Sequence, residues 1–338
     1  FMMPLMMFVM NSITLLIVWV GGHSINDGVM QVGDMMAFIQ YTMQIIMAFL
    51  MICMISVMLP RAAVAANRID EVLKTEITIK DSHNALTEKT NNAVVKFDHV
   101  DFKYADGEEN VLEDIDFEAK PGQTVAIIGS TGSGKSTLAK LIPRFFDVTN
   151  GKITLDGVDI RDISIETLRS QIGYVPQTGI LFSGDINSNI SYGAPGIDEA
   201  GIKEAAQIAQ ATEFIEDKPD KFESAIAQGG TNVSGGQKQR LSIARAIARN
   251  PKIYIFDDSF SALDYKTDVT LRAALKEKTQ DSTVIIVAQR ISTILNADQI
   301  IVLDDGNMAG IGTHKELMKN CEVYRQIAMS QLSEEELA

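Results

Sequence analysis

The chain has 338 residues, of which 30 are basic and 44 acidic, and its formal net charge at pH 7 is −14. An acidic surplus of this size argues against a nucleic-acid partner, because phosphate backbones bind basic surfaces. The two cysteines, Cys53 and Cys321, are too few for a disulfide framework and are typical of a protein in a reducing compartment.

Residues 1–60 have the composition of membrane-spanning segments. They contain no Lys or Arg, only two acidic residues, Asp27 and Asp34, and 13 of the 16 methionines. Residues 2–20 and 35–59 are apolar runs, each long enough to cross a hydrocarbon core that takes about 20 helical residues. A signal peptide is excluded, because the first run has no positively charged start and a second run follows it. We therefore predict an α-helical transmembrane hairpin with a polar turn that contains Gly21, Gly22, Asn26, Asp27, Gly28 and Gly33.

Basic residues flank this hairpin on one side only. The predicted turn has none, whereas Arg61, Arg68, Lys74 and Lys80 follow the second apolar run. By the positive-inside rule, the turn faces the outside and the rest of the chain lies in the cytoplasm. We expect a multi-pass protein of the cell membrane, in contact with the lipid bilayer, in which a polar linker at residues 75–92 leads to a cytoplasmic domain.

The second predicted span has one unusual face. At about 100° per residue, six methionines share an arc with Gln40 and Gln44. Unpaired amides are costly against lipid, so this face is expected to point into protein or a wet cavity. Two interpretations remain open: a methionine-rich contact between helices, or a cavity wall that accepts varied apolar molecules, as flexible thioethers allow. The methionines concerned are Met36, Met43, Met47, Met51, Met54 and Met58.

Residues 129–136 read G-S-T-G-S-G-K-S and lie between a predicted strand at 124–128 and a predicted helix at 136–144. In such a loop, backbone N–H groups surround the β-phosphate of a nucleotide, while Lys135 reaches the β- and γ-phosphate oxygens. The hydroxyl of Ser136 is offered to Mg²⁺, and the following helix directs its N-terminus at the anion. The pattern predicts binding of ATP and Mg²⁺ by Gly129, Ser130, Thr131, Gly132, Ser133, Gly134, Lys135, Ser136 and Thr137.

A second motif begins at Ser234. The run Ser234-Gly235-Gly236-Gln237 has a helix N-cap residue followed by two glycines that expose backbone N–H groups, which makes a second anion site. Together with the following Lys-Gln-Arg, Leu-Ser-Ile-Ala-Arg-Ala and the apolar run Ile-Tyr-Ile-Phe that ends in Asp257, it resembles the signature and Walker B segments of ATP-binding cassette (ABC) ATPases.

The resemblance implies an α/β P-loop ABC ATPase domain at residues 93–332, with a helical subdomain around Ser234 and an acidic tail at 333–338. It implies a composite site in which Ser234, Gly235, Gly236 and Gln237 close over ATP held by a second nucleotide domain. It assigns adenine stacking to Tyr104, at the end of a predicted strand over residues 94–104. It further implies that Ser136, Gln177 and Asp257 contact Mg²⁺, that Gln177 links the nucleotide to the spans, and that Asp264, in Ser-Ala-Leu-Asp, crosses to the partner domain.

Three positions depart from the family pattern. Asp258 stands where active members carry Glu, and Gln289, after a predicted strand at 283–288, stands where they carry His. The shorter carboxylate is displaced, and a misplacement of about 1 Å can cost about a hundredfold in rate. Glutamine can hydrogen-bond a phosphate but cannot become a cation. Asp258, Gln289 and Gln177 are the predicted catalytic residues. They are expected to form a site that binds ATP and hydrolyses it slowly. Gln228 replaces a Glu ahead of the signature, which puts that residue's coupling role in doubt.

The chain therefore resembles an ABC exporter half-transporter, and we expect it to lack the first four spans of one. It is similar in particular to the degenerate-site subunit of bacterial heterodimeric multidrug exporters. The resemblance implies a second half-transporter as partner and an apolar small molecule as the exported substrate. A homodimeric lipid or peptide exporter is the alternative, although it would need its own catalytic Glu and His. A non-transporting ABC protein of translation or repair is disfavoured by the two spans.

Overall fold

The structure is a computed structural model that describes residues 2–332 and divides the chain into two units between Thr78 and Ile79. The predicted acidic tail, residues 333–338, lies outside the described residues. The first unit consists of helices α1 (Met2–Asn26) and α2 (Val32–Lys74), both long and apolar enough to cross a membrane.

Both helices extend beyond the predicted spans. Gly21, Gly22 and Gly33 lie inside helices, so the turn predicted to include them is confined to residues 27–31. A helical glycine costs about 1 kcal/mol relative to alanine, which is less than leaving backbone groups unbonded in lipid. Gly21 has a further reason, because a Cβ there would lie 2.9 Å from Met35 Cγ where the helices approach. At the start of α2, the Asp34 carboxylate accepts a hydrogen bond from the backbone N–H of Gln31, with 3.1 Å between Gln31 N and Asp34 Oδ2.

The second unit is built on a ten-stranded sheet and a separate two-stranded pair. The strands are β1 (Val95–Phe102), β2 (Leu112–Ala119), β3 (Thr124–Gly129), β4 (Asn150–Leu155), β5 (Val158–Asp159), β6 (Ile172–Val175), β7 (Gly184–Asp185), β8 (Ala225–Ile226), β9 (Ile253–Asp257), β10 (Thr283–Val287), β11 (Gln299–Asp304) and β12 (Asn307–Gly312). Their order in the large sheet is β5-β4-β1-β2-β12-β11-β3-β10-β9-β6, and β7 pairs with β8.

Ten helices accompany these strands within the described part of the second unit. They are α3 (Lys135–Leu141), α4 (Ile165–Ser170), α5 (Ile186–Ser191), α6 (Glu199–Ile208), α7 (Thr212–Glu216), α8 (Gly235–Ala248), α9 (Tyr265–Lys278), α10 (Ile291–Ile294), α11 (His314–Asn320) and α12 (Glu322–Gln331). The helices between β6 and β9 form a helical insert in which α5, α6 and α8 pack together. An α/β domain with a helical subdomain is therefore confirmed.

The five strands β11, β3, β10, β9 and β6 are parallel neighbours with buried apolar side chains. In register, Val287 lies opposite Ile127 on one side and Asp257 on the other, while Val175 lies opposite Phe256. The strands therefore end at the same edge of the sheet, and the residues that follow them are brought together there. Such an edge is where open parallel sheets bind ligands.

Three predicted boundaries were too generous. The strand predicted at 94–104 ends at Phe102, because Ala-Asp-Gly forms a turn after Tyr104. The helix predicted at 136–144 ends at Leu141, since Pro143 has no backbone N–H with which to continue the helical hydrogen bonding. Part of the predicted linker belongs to the second unit: Asp81 accepts a hydrogen bond from the Ile165 N–H, and Leu86 forms a bridge with Ile163.

Candidate nucleotide-binding site

The phosphate loop joins the end of β3 to the start of α3 and depends on two glycines. A Cβ on Gly129 would overlap the carbonyl oxygen of Leu303 in the neighbouring strand. Gly134, with φ of 93°, precedes α3 in a left-handed conformation, and a Cβ there would lie 2.7 Å from Leu112 Cδ2. The loop between them, with Ser130, Thr131, Gly132 and Ser133, is therefore shaped by its backbone rather than by its side chains.

Lys135, the first residue of α3, folds back onto this loop. Its ammonium donates 2.9 Å to the carbonyl of Gly129 and also hydrogen-bonds the carbonyl of Ser130. Burial lowers the pKa of Lys135 below its ordinary value, and the carboxylates of Asp258 and Asp257 oppose that shift. The lysine is a half-buried cation at the mouth of a backbone loop, which is an arrangement suited to an anion.

Ser136 and Asp257 meet although they are far apart in the sequence. The Ser136 hydroxyl donates 2.7 Å to Asp257 Oδ1, and the Tyr174 hydroxyl donates 3.1 Å to Oδ2. Asp257 is 2% exposed. One carboxylate and one hydroxyl suit Mg²⁺, which takes oxygen ligands and draws the rest from phosphates and water. Within residues 2–332 the structure has no cluster of three or more His, Cys, Asp or Glu side chains that could hold a metal.

The three predicted catalytic residues meet at the carboxylate of Asp258. Gln289 Nε2 donates 2.7 Å to Asp258 Oδ2, and Gln177 Nε2 donates 3.0 Å to the same oxygen. Asp258 follows β9 with φ of 48°, and its backbone N–H donates 2.9 Å to the carbonyl of Val287. Burial raises the pKa of Asp258, although the hydrogen bond from Gln177 lowers it. This carboxylate thus ties the ends of β6, β9 and β10 together.

Ser234 caps α8 as its sequence predicts. Its hydroxyl accepts a hydrogen bond from Gln237 N–H at 3.2 Å, and Gln237 Oε1 accepts from Ser234 N–H at 3.1 Å. Ser234 and Gly235 are exposed, so the helix N-terminus is open to a ligand from outside the chain. Gly236 lies close to the loop before α9, because a Cβ there would lie 3.3 Å from the carbonyl of Ala262.

Asp264 and Tyr104 lie at other borders of the site. Asp264 is exposed and caps α9 by accepting 3.0 Å from the Thr267 N–H. The Tyr104 hydroxyl is 3.0 Å from the hydroxyl of Thr137 in the first turn of α3, and its ring meets Phe146 edge to face at 5.2 Å. Tyr104 therefore lies beside the phosphate loop, where an aromatic face can stack on a nucleobase.

Sequence reasoning missed two supporting residues. Gln239 is 2% exposed, and its amide donates 3.1 Å to the carbonyl of Pro176, which connects α8 to the segment that carries Gln177. Its signal was a polar residue among the buried positions of α8. Tyr174, which holds Asp257, had no recognisable signal, because its hydroxyl contacts a residue 83 positions away.

Comparison with known proteins agrees with this geometry. Residues 112–261 match the sequence profile of the ABC transporter family. An uncharacterized ABC transporter ATP-binding protein of Mycobacterium tuberculosis (strain ATCC 25618 / H37Rv) is 45% identical over 334 residues, which are 98% of this chain and 57% of that protein. The uncharacterized ABC transporter ATP-binding protein YfiB of Bacillus subtilis (strain 168) is 42% identical over 335 residues, 99% of this chain and 58% of that protein.

Among solved structures, a bacterial Atm1-family ABC exporter with ATP bound matches with a TM-score of 0.74 at 34% sequence identity. The match covers 88% of this chain and 53% of that chain. The chain thus spans a little over half the length of the relatives that it matches.

Proposed function

Because the chain belongs to the ABC transporter family, with the ATP-binding domain of that family as its second unit, we propose that it is the ATP-binding and membrane-spanning part of an exporter half-transporter. The observation that carries this proposal is the convergence of the phosphate loop, Asp257, Asp258 and Gln289 at one sheet edge. The same chain carries two helices of membrane-spanning length and composition.

In the proposed site, each residue has a role that follows from its position. Backbone N–H groups of residues 129–134 bind the β-phosphate, while Lys135 exchanges its loop carbonyls for phosphate oxygens. Tyr104 stacks on the adenine. Ser136 and Asp257 are the residues that would hold Mg²⁺, which neutralises phosphate charge when bound. Asp258 and Gln177 orient the attacking water from the side of the γ-phosphate, with Gln289 beside them.

We further propose that this chain's own site hydrolyses ATP slowly. A buried carboxylate with a raised pKa suits a base, yet Asp258 is one methylene shorter than Glu and is held by two amides. Gln289 can donate a hydrogen bond but supplies no positive charge. The intact Ser234 cap can meanwhile complete a competent site on a partner half-transporter, which favours a heterodimer.

The proposed substrate is an apolar small molecule, as in multidrug export. The helix α2 is continuous from Val32 to Lys74, so Gln40, Gln44 and the six methionines do share one face. Thioethers adapt to ligands of different shape, and the two amides offer fixed hydrogen bonds.

The test is ATP turnover in lipid nanodiscs, compared between the wild-type protein and the double variant Asp258→Glu, Gln289→His. ATP affinity should stay within about twofold, since neither change touches the loop, whereas turnover should rise about tenfold or more because the carboxylate and cation are restored. Lys135→Ala is the control that should lose ATP binding. Equal and fast turnover in both proteins would contradict the slow site. If this chain alone forms a dimer with fast turnover, the alternative of a homodimeric lipid or peptide exporter is favoured.

A further inference from the structure

We propose that Gln331, the last residue of α12, is a positioning residue for Gln289, so that the C-terminal helix controls the γ-phosphate side of the site. The side-chain amide of Gln331 uses both of its ends. Its Nε2 donates 2.9 Å to the backbone carbonyl of Gln289, and its Oε1 accepts 2.9 Å from the backbone N–H of Ile291. This inference rests on the proposed function, because it concerns the same ATP site.

The segment that Gln331 holds lacks a cap of its own. Ile291 begins α10, a helix of four residues, and the first N–H groups of a helix have no partner within it. The N-cap residue Arg290 makes no side-chain cap, since a guanidinium cannot accept a hydrogen bond. Gln331 Oε1 supplies the missing acceptor from another helix. A single amide therefore fixes the backbone on both sides of Arg290.

The helix that carries Gln331 is itself firmly seated. Tyr324 and Ala328 on α12 are both fully buried, and Leu332 packs against the same hydrophobic core. The Leu332 N–H donates 3.0 Å to the carbonyl of Ala328, which continues the helical hydrogen bonding past Gln331. The amide is thus offered from a rigid support rather than from a loose terminus.

The fixed backbone leads directly to the candidate catalytic carboxylate. The Gln289 side chain donates 2.7 Å to Asp258 Oδ2. Arg290 donates 3.3 Å to the carbonyl of Ser261, whose hydroxyl in turn donates 2.9 Å to the carbonyl of Asp258. Removal of the Gln331 amide takes no group away from the nucleotide, but it releases the backbone that aims Gln289. The expected effect is on the rate of hydrolysis and not on ATP affinity.

The experiment measures ATP affinity and single-turnover hydrolysis of the protein in lipid nanodiscs. Gln331→Ala should slow hydrolysis about tenfold, as expected for a shift below 1 Å at the site, and leave the Kd for ATP within about twofold. Gln326→Ala is the matched control, because Gln326 lies on the same helix and, among residues 2–332, its side chain hydrogen-bonds only the exposed Glu322. This control should hydrolyse ATP at the wild-type rate.

A second variant separates positioning from folding. Gln331→Glu keeps an acceptor for the Ile291 N–H but loses the donor to Gln289, so it should fold normally and still be slow. The decisive readout is a double-mutant cycle: in a Gln289→Ala background, Gln331→Ala should slow hydrolysis no further. If Gln331→Ala and Gln331→Glu both match Gln326→Ala, or if the slowing is independent of Gln289, the inference is wrong. If the wild-type protein binds no ATP, the proposed function itself fails.

Discussion

The side-chain amide of Gln289 donates a 2.7 Å hydrogen bond to the carboxylate of Asp258. These are two of the three positions at which the sequence departs from the family pattern, and the structure places them in direct contact. A Glu–His pair carries opposite charges when the histidine is protonated, whereas in the Asp–Gln pair a neutral donor binds a buried carboxylate. The two substitutions therefore belong to one polar cluster, and their effects are expected to be coupled.

Asp258→Asn should stabilise the protein at neutral pH. Burial raises the pKa of Asp258, so the folded state holds its proton more tightly than the unfolded state does. The free energy of unfolding therefore falls as pH rises from the ordinary aspartate pKa through the raised pKa. At pH 7.5 the carboxylate is charged, and its burial lowers stability by the full amount. Asparagine carries no charge, and its oxygen can still accept from Gln177 and Gln289. Tm should therefore rise, and each 1 kcal/mol of added stability corresponds to about 2–4 °C in a domain of 150–250 residues.

The measurement is Tm for the wild type and Asp258→Asn at pH 7.5 and at the lowest pH at which both stay soluble. The difference in Tm should shrink toward acid pH. Asp264→Asn is the comparison, because Asp264 is exposed and its pKa is lowered by hydrogen bonds from Thr267, which gives the opposite pH trend. A variant that is less stable than the wild type at pH 7.5 would show that the Asp258 charge helps to hold the cluster.

The meeting of Gln177, Asp258 and Gln289 was predictable from local patterns because each of these residues follows a strand. Apolar runs predicted the strands, parallel strands end at one edge, and so Gln177, Asp258 and Gln289 had to meet. Ser234 was predictable as a helix cap because a cap acts on residues two or three positions away. Gln331 was not predictable, since its partners lie 42 and 40 residues earlier and no local pattern encodes that contact.

The ends of α1 and α2 were missed because bilayer thickness sets a minimum length for a span and does not set where the helix ends.

The methionine and glutamine face of α2 should line a path that water can reach. Single cysteines at Gln44, Met47 and Ile45 provide the test, after Cys53, which is exposed on the same helix, has been replaced by serine. At 100° per residue, Ile45 lies on the opposite side of α2 from Met47. A water-soluble thiol reagent should label the cysteines at Gln44 and Met47 several times faster than that at Ile45 in membranes that contain the whole transporter. Equal labelling of all three would leave the methionine-rich helix contact as the better interpretation.

The proposed heterodimer predicts unequal effects of two variants in this chain. Its Lys135 and Asp258 serve its own slow site, while its Ser234 serves the competent site of the partner, against whose γ-phosphate the α8 N-terminus is placed. In the assembled transporter at saturating ATP, Ser234→Ala should lower steady-state ATPase activity about tenfold or more. The reason is that the hydrogen-bond donors at the α8 N-terminus are no longer held in place against the transferred phosphate. Asp258→Ala should lower it less than about twofold, since the carboxylate it removes already sits one methylene away from the catalytic position.

The partner subunit stays unchanged in both measurements, and Ser234→Thr, which keeps the capping hydroxyl, serves as the control for loss of the α8 cap. If Asp258→Ala abolishes turnover while Ser234→Ala has little effect, the roles of the two sites are reversed and the heterodimer proposal fails.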